Sequence, residues 1–169
     1  MKIKISGLTN GTYNYDYNFG IENIELEEPF FGNYQTKVVL NKFDDQIILE
    51  ASTSVNANFV CDRCGKEFKR EVESKYKMVY LLRDINSKTD EEVDITYLPH
   101  DADKIDISKD VRDYLILSVP MKRLCKEDCK GLCYKCGKDL NEGKCDCTEL
   151  EVDDRWKPLL ELKNKINKN

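Results

Sequence analysis

The chain has 169 residues, of which 40% are hydrophobic and 35% charged, with a net charge of −5. That length suits one domain, or one domain with a small metal-bound appendage, and the apolar content supplies a modest core. The acidic balance gives no global nucleic-acid footprint, and no run approaches the roughly 18 to 20 apolar residues needed to cross a bilayer. The opening Met1-Lys2-Ile3-Lys4-Ile5-Ser6 lacks the apolar run of a signal peptide, so a cytoplasmic location is expected, where thiols stay reduced.

Residues 1–82 read largely as β-structure, beginning with a short strand from Lys2 to Ile5. Tyr13, Tyr15, Tyr17 and Phe19 alternate with Asn14, Asp16 and Asn18, which puts four aromatics on one side of a strand. They suit either a base-stacking platform or the buried face of a sheet, and the buried face is the expectation. Thr36 to Asn41 and Gln46 to Thr53 are apolar-rich runs joined through Phe43-Asp44-Asp45, a hairpin pattern. Val55, Ala57 and Phe59 lead into a pair of cysteines, and Phe68, Val72, Tyr76, Met78 and Tyr80 lead out, placing that pair at the tip of a long antiparallel hairpin. Residues 86–92 read as a polar loop, Asp90, Glu91, Glu92 and Asp94 as solvated acids, and Asp94 to Tyr97 as a short strand.

A helix is predicted from Ser108, whose hydroxyl would cap it while Asp110 complements its positive end. Val111, Leu115 and Val119 share a face, joined by Tyr114 and Leu117, and Pro120 ends the helix near Val119. The tail carries Trp156, Leu159, Leu160, Leu162 and Ile166 at helical spacing, with Pro158 suited to a first turn. The expected fold is α+β, mainly an antiparallel β-sheet or partly open barrel, with one or two helices and zinc-knuckle elements. Its parts are a β-rich core over 1–120, a cysteine-rich zinc-binding segment over 121–150 and a helical tail over 151–169, forming one cooperative unit.

The eight cysteines fall in pairs: Cys61 with Cys64, Cys125 with Cys129, Cys133 with Cys136, and Cys145 with Cys147. Cys61-Asp62-Arg63-Cys64-Gly65-Lys66 is echoed by Cys133-Tyr134-Lys135-Cys136-Gly137-Lys138, each with the form of a zinc knuckle. Zinc favours four thiolates in a tetrahedron, and a full cysteine set leaves no position for substrate water, so two structural ions are expected. Cys133, Cys136, Cys145 and Cys147 are compact enough to close one site, leaving Cys61 and Cys64 to meet Cys125 and Cys129. The alternative pairs the two knuckles on one ion. A thiol-redox or zinc-sensing role fits C-x-x-C spacing less well, because neither pair precedes a helix in a βαβ setting. His100, the sole histidine, reads as a loop residue.

Basic residues crowd both clusters, and Arg63, Lys66, Lys126, Lys130 and Lys135 are the candidate contacts for RNA or a partner. The same charges equally serve to offset a four-thiolate zinc centre. No paired carboxylates, nucleophile triad or glycine-rich phosphate loop stands out, so the chain is expected to be non-enzymatic, without a small-molecule substrate or a membrane partner.

The run from Cys125 to Asn141 with Cys145-Asp146-Cys147, the upstream Cys61-Asp62-Arg63-Cys64, Leu115-Ile116-Leu117-Ser118-Val119-Pro120, and Asp154-Arg155-Trp156-x-Pro158-Leu159 together resemble the bacterial YceD family. The resemblance covers roughly residues 35–165 and points to a clostridial-type member with the full C-terminal cysteine signature. Family members are described as large ribosomal RNA subunit accumulation proteins. The resemblance implies a ribosome-biogenesis factor supporting synthesis, processing or accumulation of 23S rRNA. Its implied partner is precursor large-subunit rRNA or an early assembly particle, with a ribosomal protein or nuclease as further candidates. A zinc-stapled adaptor that binds protein is the alternative.

Overall fold

Alternation of apolar and polar residues organises the chain around one long central strand. In the computed structural model, which describes residues 1–83, 95–147, 155 and 159, every second residue of the strand Gln46–Val60 from Ile47 to Phe59 is buried. The chain forms two compact units, Met1–Glu127 and Asp128–Asn169. In the first, the strands are β1 (Lys2–Lys4), β2 (Gly11–Gly20), β3 (Phe30–Phe43), β4 (Gln46–Val60), β5 (Glu67–Leu82), β6 (Ile95–Leu98) and β7 (Lys104–Asp106), followed by helix α1 (Ser108–Leu117). Strands β2 to β6 make a five-stranded sheet in chain order, and β1 pairs with β7 in a separate two-stranded ribbon.

Because β4 is hydrogen-bonded along its length to both β3 and β5, a one-residue slip would turn its whole buried row to solvent. Leu49 lies between Leu40 and Met78, Ala51 between Val38 and Tyr76, and Val55 between Tyr34 and Val72. Thr36, Thr53 and Ser74 form a buried hydroxyl row across the three strands, and the Thr36 and Thr53 oxygens, 2.9 Å apart, partner each other within the core. Helix α1 adds Val111 and Leu115 to this face, and Tyr114 stacks on Tyr76 with ring centroids 4.4 Å apart. Burying each such aliphatic side chain contributes about 1.5–3 kcal/mol.

The two-residue turn Asp44-Asp45 joins β3 to β4, and the hairpin of β4 and β5 carries Cys61 and Cys64 at its tip, as the alternation predicts. The aromatic stripe of β2 lies on the core face: Tyr13, Tyr15 and Tyr17 are half-buried, but Phe19 is 43% exposed. Since β2 is an edge strand of this sheet, its aromatics are sheltered on one flank only.

Three expectations need correction, and the direction of β6 is a finding beside them. The sheet is open, with β2 and β6 as its edges, so it does not close toward a barrel. Strand β6 runs parallel to β5, a crossover that periodicity cannot reveal. Ser108 does not cap α1 through its hydroxyl; its own N–H donates to Asp106 Oδ1 at 3.0 Å, and Ile107 occupies the cap position. The helix stops at Leu117, where Ser118 Oγ donates to the Leu115 carbonyl at 2.7 Å, and Leu117 faces solvent. The predicted 86–92 loop with Asp90, Glu91, Glu92 and Asp94, and the tail helix with Trp156, Pro158, Leu160, Leu162 and Ile166, lie outside the described residues.

Leu49→Ala should cost about 2–5 kcal/mol in urea unfolding, because the cavity opens between two paired strands. Asn56→Ala on the opposite, exposed face should stay within about 0.5 kcal/mol. Equal losses would contradict the assignment of faces.

Candidate metal centres

Both C-x-x-C-G-K segments fold into the same hydrogen-bonded turn. At the tip of β4 and β5, the Cys61 N–H donates to the Lys66 carbonyl at 2.9 Å and the Gly65 N–H donates to the Cys61 carbonyl at 2.8 Å. In the second unit, the Cys133 N–H donates to Lys138 O at 2.8 Å and Gly137 N–H to Cys133 O at 2.8 Å. Gly65 at φ 69° and Gly137 at φ 73° occupy the left-handed region that a side chain would strain.

Polar contacts then hold the segment after α1 against the first turn. The Asp62 N–H donates to Arg123 O at 2.8 Å, and the Arg123 N–H donates to Asp62 Oδ2 at 2.6 Å. Arg70 donates to the Leu124 carbonyl at 3.1 Å and Arg63 to the Glu127 carbonyl at 3.4 Å. These contacts deliver Cys125 Sγ to 3.7 Å from Cys64 Sγ. The sulfurs of Cys61, Cys64 and Cys125 all lie within 4.8 Å of one another, with Cys61 and Cys64 buried and Cys125 partly so.

Within the second unit, the sulfurs of Cys133, Cys136, Cys145 and Cys147 likewise lie within 4.8 Å of one another, with Cys145 Sγ 3.4 Å from Cys133 Sγ. Cys133 is buried, Cys136 exposed, and the other two intermediate. Asn141 braces this unit: its Oδ1 accepts the Lys130 N–H at 2.9 Å, and its Nδ2 donates to Asp139 Oδ1 at 2.7 Å and to Cys129 Sγ at 3.4 Å. Such a donor to a ligand sulfur steadies its orientation.

One thiol in each C-x-x-C turn is drawn toward the thiolate. Burial pushes Cys61 up, but the backbone amides of Cys125, Arg63 and Cys64 outweigh it and bring the thiol down to about 6. The amides of Cys136 and Lys135, with the Cys145 thiol, bring Cys133 down to about 6. Cys147 is pushed up to about 12, chiefly by its hydrogen bond with Cys136 and by burial. A tetrahedron with metal–sulfur bonds of about 2.3 Å has edges of about 3.8 Å, so the observed sulfur separations fit.

Both clusters can therefore coordinate a metal ion, and the two knuckles fall in different groups instead of sharing one. Four sulfur donors close the coordination sphere, an arrangement suited to holding structure. His100 belongs to neither group; it is exposed, with Nδ1 3.8 Å from Asp45 Oδ1. The candidate contacts Arg63, Lys66 and Lys126 are exposed in the first unit, and Lys130 and Lys135 in the second. Arg63 also serves the Glu127 carbonyl. Sequence reasoning missed the latching roles of Asp62, Arg70 and Arg123 and the sulfur contact of Asn141.

Cys64→Ser and Cys136→Ser should each remove one of two metal equivalents per chain, measured by elemental analysis of purified protein. Asp62→Ala should weaken metal binding at the first cluster by about 10- to 100-fold in a chelator competition, leaving the second unchanged. An unaltered affinity would show that the polar latch does not position Cys125.

Comparison with known proteins places this architecture. A stretch of 73 residues is 40% identical to the Arabidopsis thaliana protein "Large ribosomal RNA subunit accumulation protein YCED homolog 1, chloroplastic", covering 43% of this chain and 23% of that protein. The Zea mays homologue of the same name is 45% identical over 53 residues, 30% of this chain and 18% of that protein. The matched part thus spans less than a quarter of the length of these curated relatives. No solved structure matches the chain. The family is described by the accumulation of an RNA and not by a catalysed reaction, and it is a family of ribosome-biogenesis type. Its model, "Large ribosomal RNA subunit accumulation protein YceD", matches residues 49–163, from β4 through both cysteine clusters, and the chain therefore belongs to the YceD family.

Proposed function

We propose that this protein is a non-enzymatic ribosome-biogenesis factor that supports synthesis, processing or accumulation of 23S rRNA, with one structural zinc ion in each cysteine cluster. The carrying observation is the family match spanning both thiol groups. Zinc is the metal that four thiolates suit best, and it leaves the knuckles redox-inert. On this reading the partner is precursor large-subunit rRNA or an early assembly particle. The working compartment is one that keeps thiols reduced, the bacterial cytoplasm, and the chain represents the subgroup with a full C-terminal cysteine set. Arg63, Lys66, Lys126, Lys130 and Lys135 supply phosphate contacts from exposed positions.

A protein-docking role is the second reading, and one observation favours it. Leu117 is 77% exposed and Met121 fully so, with Ile116 beside them in sequence at 47%, which leaves apolar side chains uncovered at the end of α1.

Crosslinking in cells, followed by sequencing of the recovered RNA, should enrich precursor 23S rRNA. A quadruple Lys66, Lys126, Lys130 and Lys135 to Glu variant should lose that enrichment while keeping both metal ions. Recovery of a protein partner without RNA, abolished by Leu117→Asp with Met121→Asp, would replace the RNA reading with the docking one.

A further inference from the structure

The outward face of the sheet carries a cationic row separate from the knuckles. Lys37 of β3 and Lys75 of β5 are both register partners of Ser52 in β4, so the three side chains stand in line across adjacent strands. With strands about 4.8 Å apart, the two lysine backbones are separated by roughly 10 Å, and flexible stems let both ammonium groups reach one ligand above the Ser52 hydroxyl. In the next row Glu50 is answered by Lys77 at 3.2 Å. Lys37 and Lys75 have no such answer: neither makes an ion pair among the described residues, although Asp16 is the β2 register partner of Lys37. Glu73, opposite Ser54, and Asp16 flank the row without lining the groove beside it.

That groove has a volume of about 440 Å³ and is lined by Lys37, Val39, Glu50, Ser52, Lys75 and Lys77 among others. Three lysines against one glutamate give a local excess of positive charge in a chain whose net charge is −5. Its floor is apolar, formed by Val39, 36% exposed, and by the aliphatic lysine stems. An anion with an attached flat or apolar body fits this pairing of rim and floor. A nucleotide does so, with its phosphate between the ammonium groups and its sugar or base against Val39. The exposed face of an open sheet presents such a site to a splayed single strand.

We infer that Lys37, Ser52 and Lys75 form a binding site for a phosphate of single-stranded RNA, with Val39 supporting the adjoining nucleoside. The inference rests on the RNA reading above and adds a contact surface distinct from the cysteine knuckles.

The test is fluorescence anisotropy of a labelled single-stranded RNA oligonucleotide with the full chain across a salt series. Lys37→Ala with Lys75→Ala should weaken binding and make the slope of log affinity against log salt shallower by about 0.7 to 1.4, for one or two phosphates. Lys37→Arg with Lys75→Arg should restore both quantities, and Lys104→Ala, which removes an exposed lysine of the separate β1–β7 ribbon, should change the slope little. An unchanged slope in the alanine pair, with wild-type RNA binding intact, overturns the sheet-face site alone. Loss of binding that the arginine pair fails to restore also overturns it, because a phosphate contact requires only the charge. No binding by the wild-type chain overturns this inference together with the RNA reading. Preference for a phosphoserine peptide over RNA would assign the row to a protein ligand and reject the inference.

Discussion

Cys125 meets Cys64 across 61 positions of chain because the backbone between Arg123 and Glu127 is pinned by the side chains and amide of the first knuckle. The contacts are polar and partly exposed, each contributing about 0.5–1.5 kcal/mol net. Together they are smaller than the roughly 10–16 kcal/mol that a structural zinc ion can supply on binding four ligands. The division of labour follows from those magnitudes. Hydrogen bonds bring the thiols near their final positions, and a metal ion would fix them there. The hairpin of β4 and β5 supplies the rigid platform, since its tip is the end of two strands paired along the whole of β4.

The repeated turn in the second unit shows how much geometry six residues can specify. Cys61 to Lys66 and Cys133 to Lys138 share two hydrogen bonds and a left-handed glycine, although one closes a long hairpin and the other lies in a segment without extended strands. Local sequence determines the turn, and each turn gathers a separate set of remaining thiols. The thiol at position 125 joins the first group, and those at 145 and 147 complete the second.

Elements with a repeating signal were legible before any coordinates. The alternation from Ile47 to Phe59 announced both the strand and its buried face, and the spacing of Val111 and Leu115 announced the helix core. Features decided by tertiary partners were not. The parallel pairing of β6 depends on a crossover, the half-exposure of Phe19 on which strand ends the sheet, and the helix start on Ile107 at the cap position with the Ser108 N–H held by Asp106. The thiol grouping was readable from spacing, but the hydrogen bonds of Asp62, Arg70 and Arg123 were not, because their partners lie more than 50 positions away in the chain. Charge has internal uses in the same place. Arg70 donates to the Leu124 carbonyl and Arg123 lies 3.8 Å from Asp62.

The chain belongs to the YceD family and carries two thiol clusters. The function proposed above gives metal ions in those clusters the task of shaping a surface, while exposed cations meet the partner. That account stands or falls on the clusters being closed, all-sulfur zinc sites. Zinc-edge X-ray absorption on the purified full chain tests this most directly. The account predicts two zinc ions per chain, each with four sulfur neighbours at about 2.3 Å and no nitrogen or oxygen in the coordination shell. A chain that retains no zinc, or a shell with open or oxygen-filled positions, would contradict it.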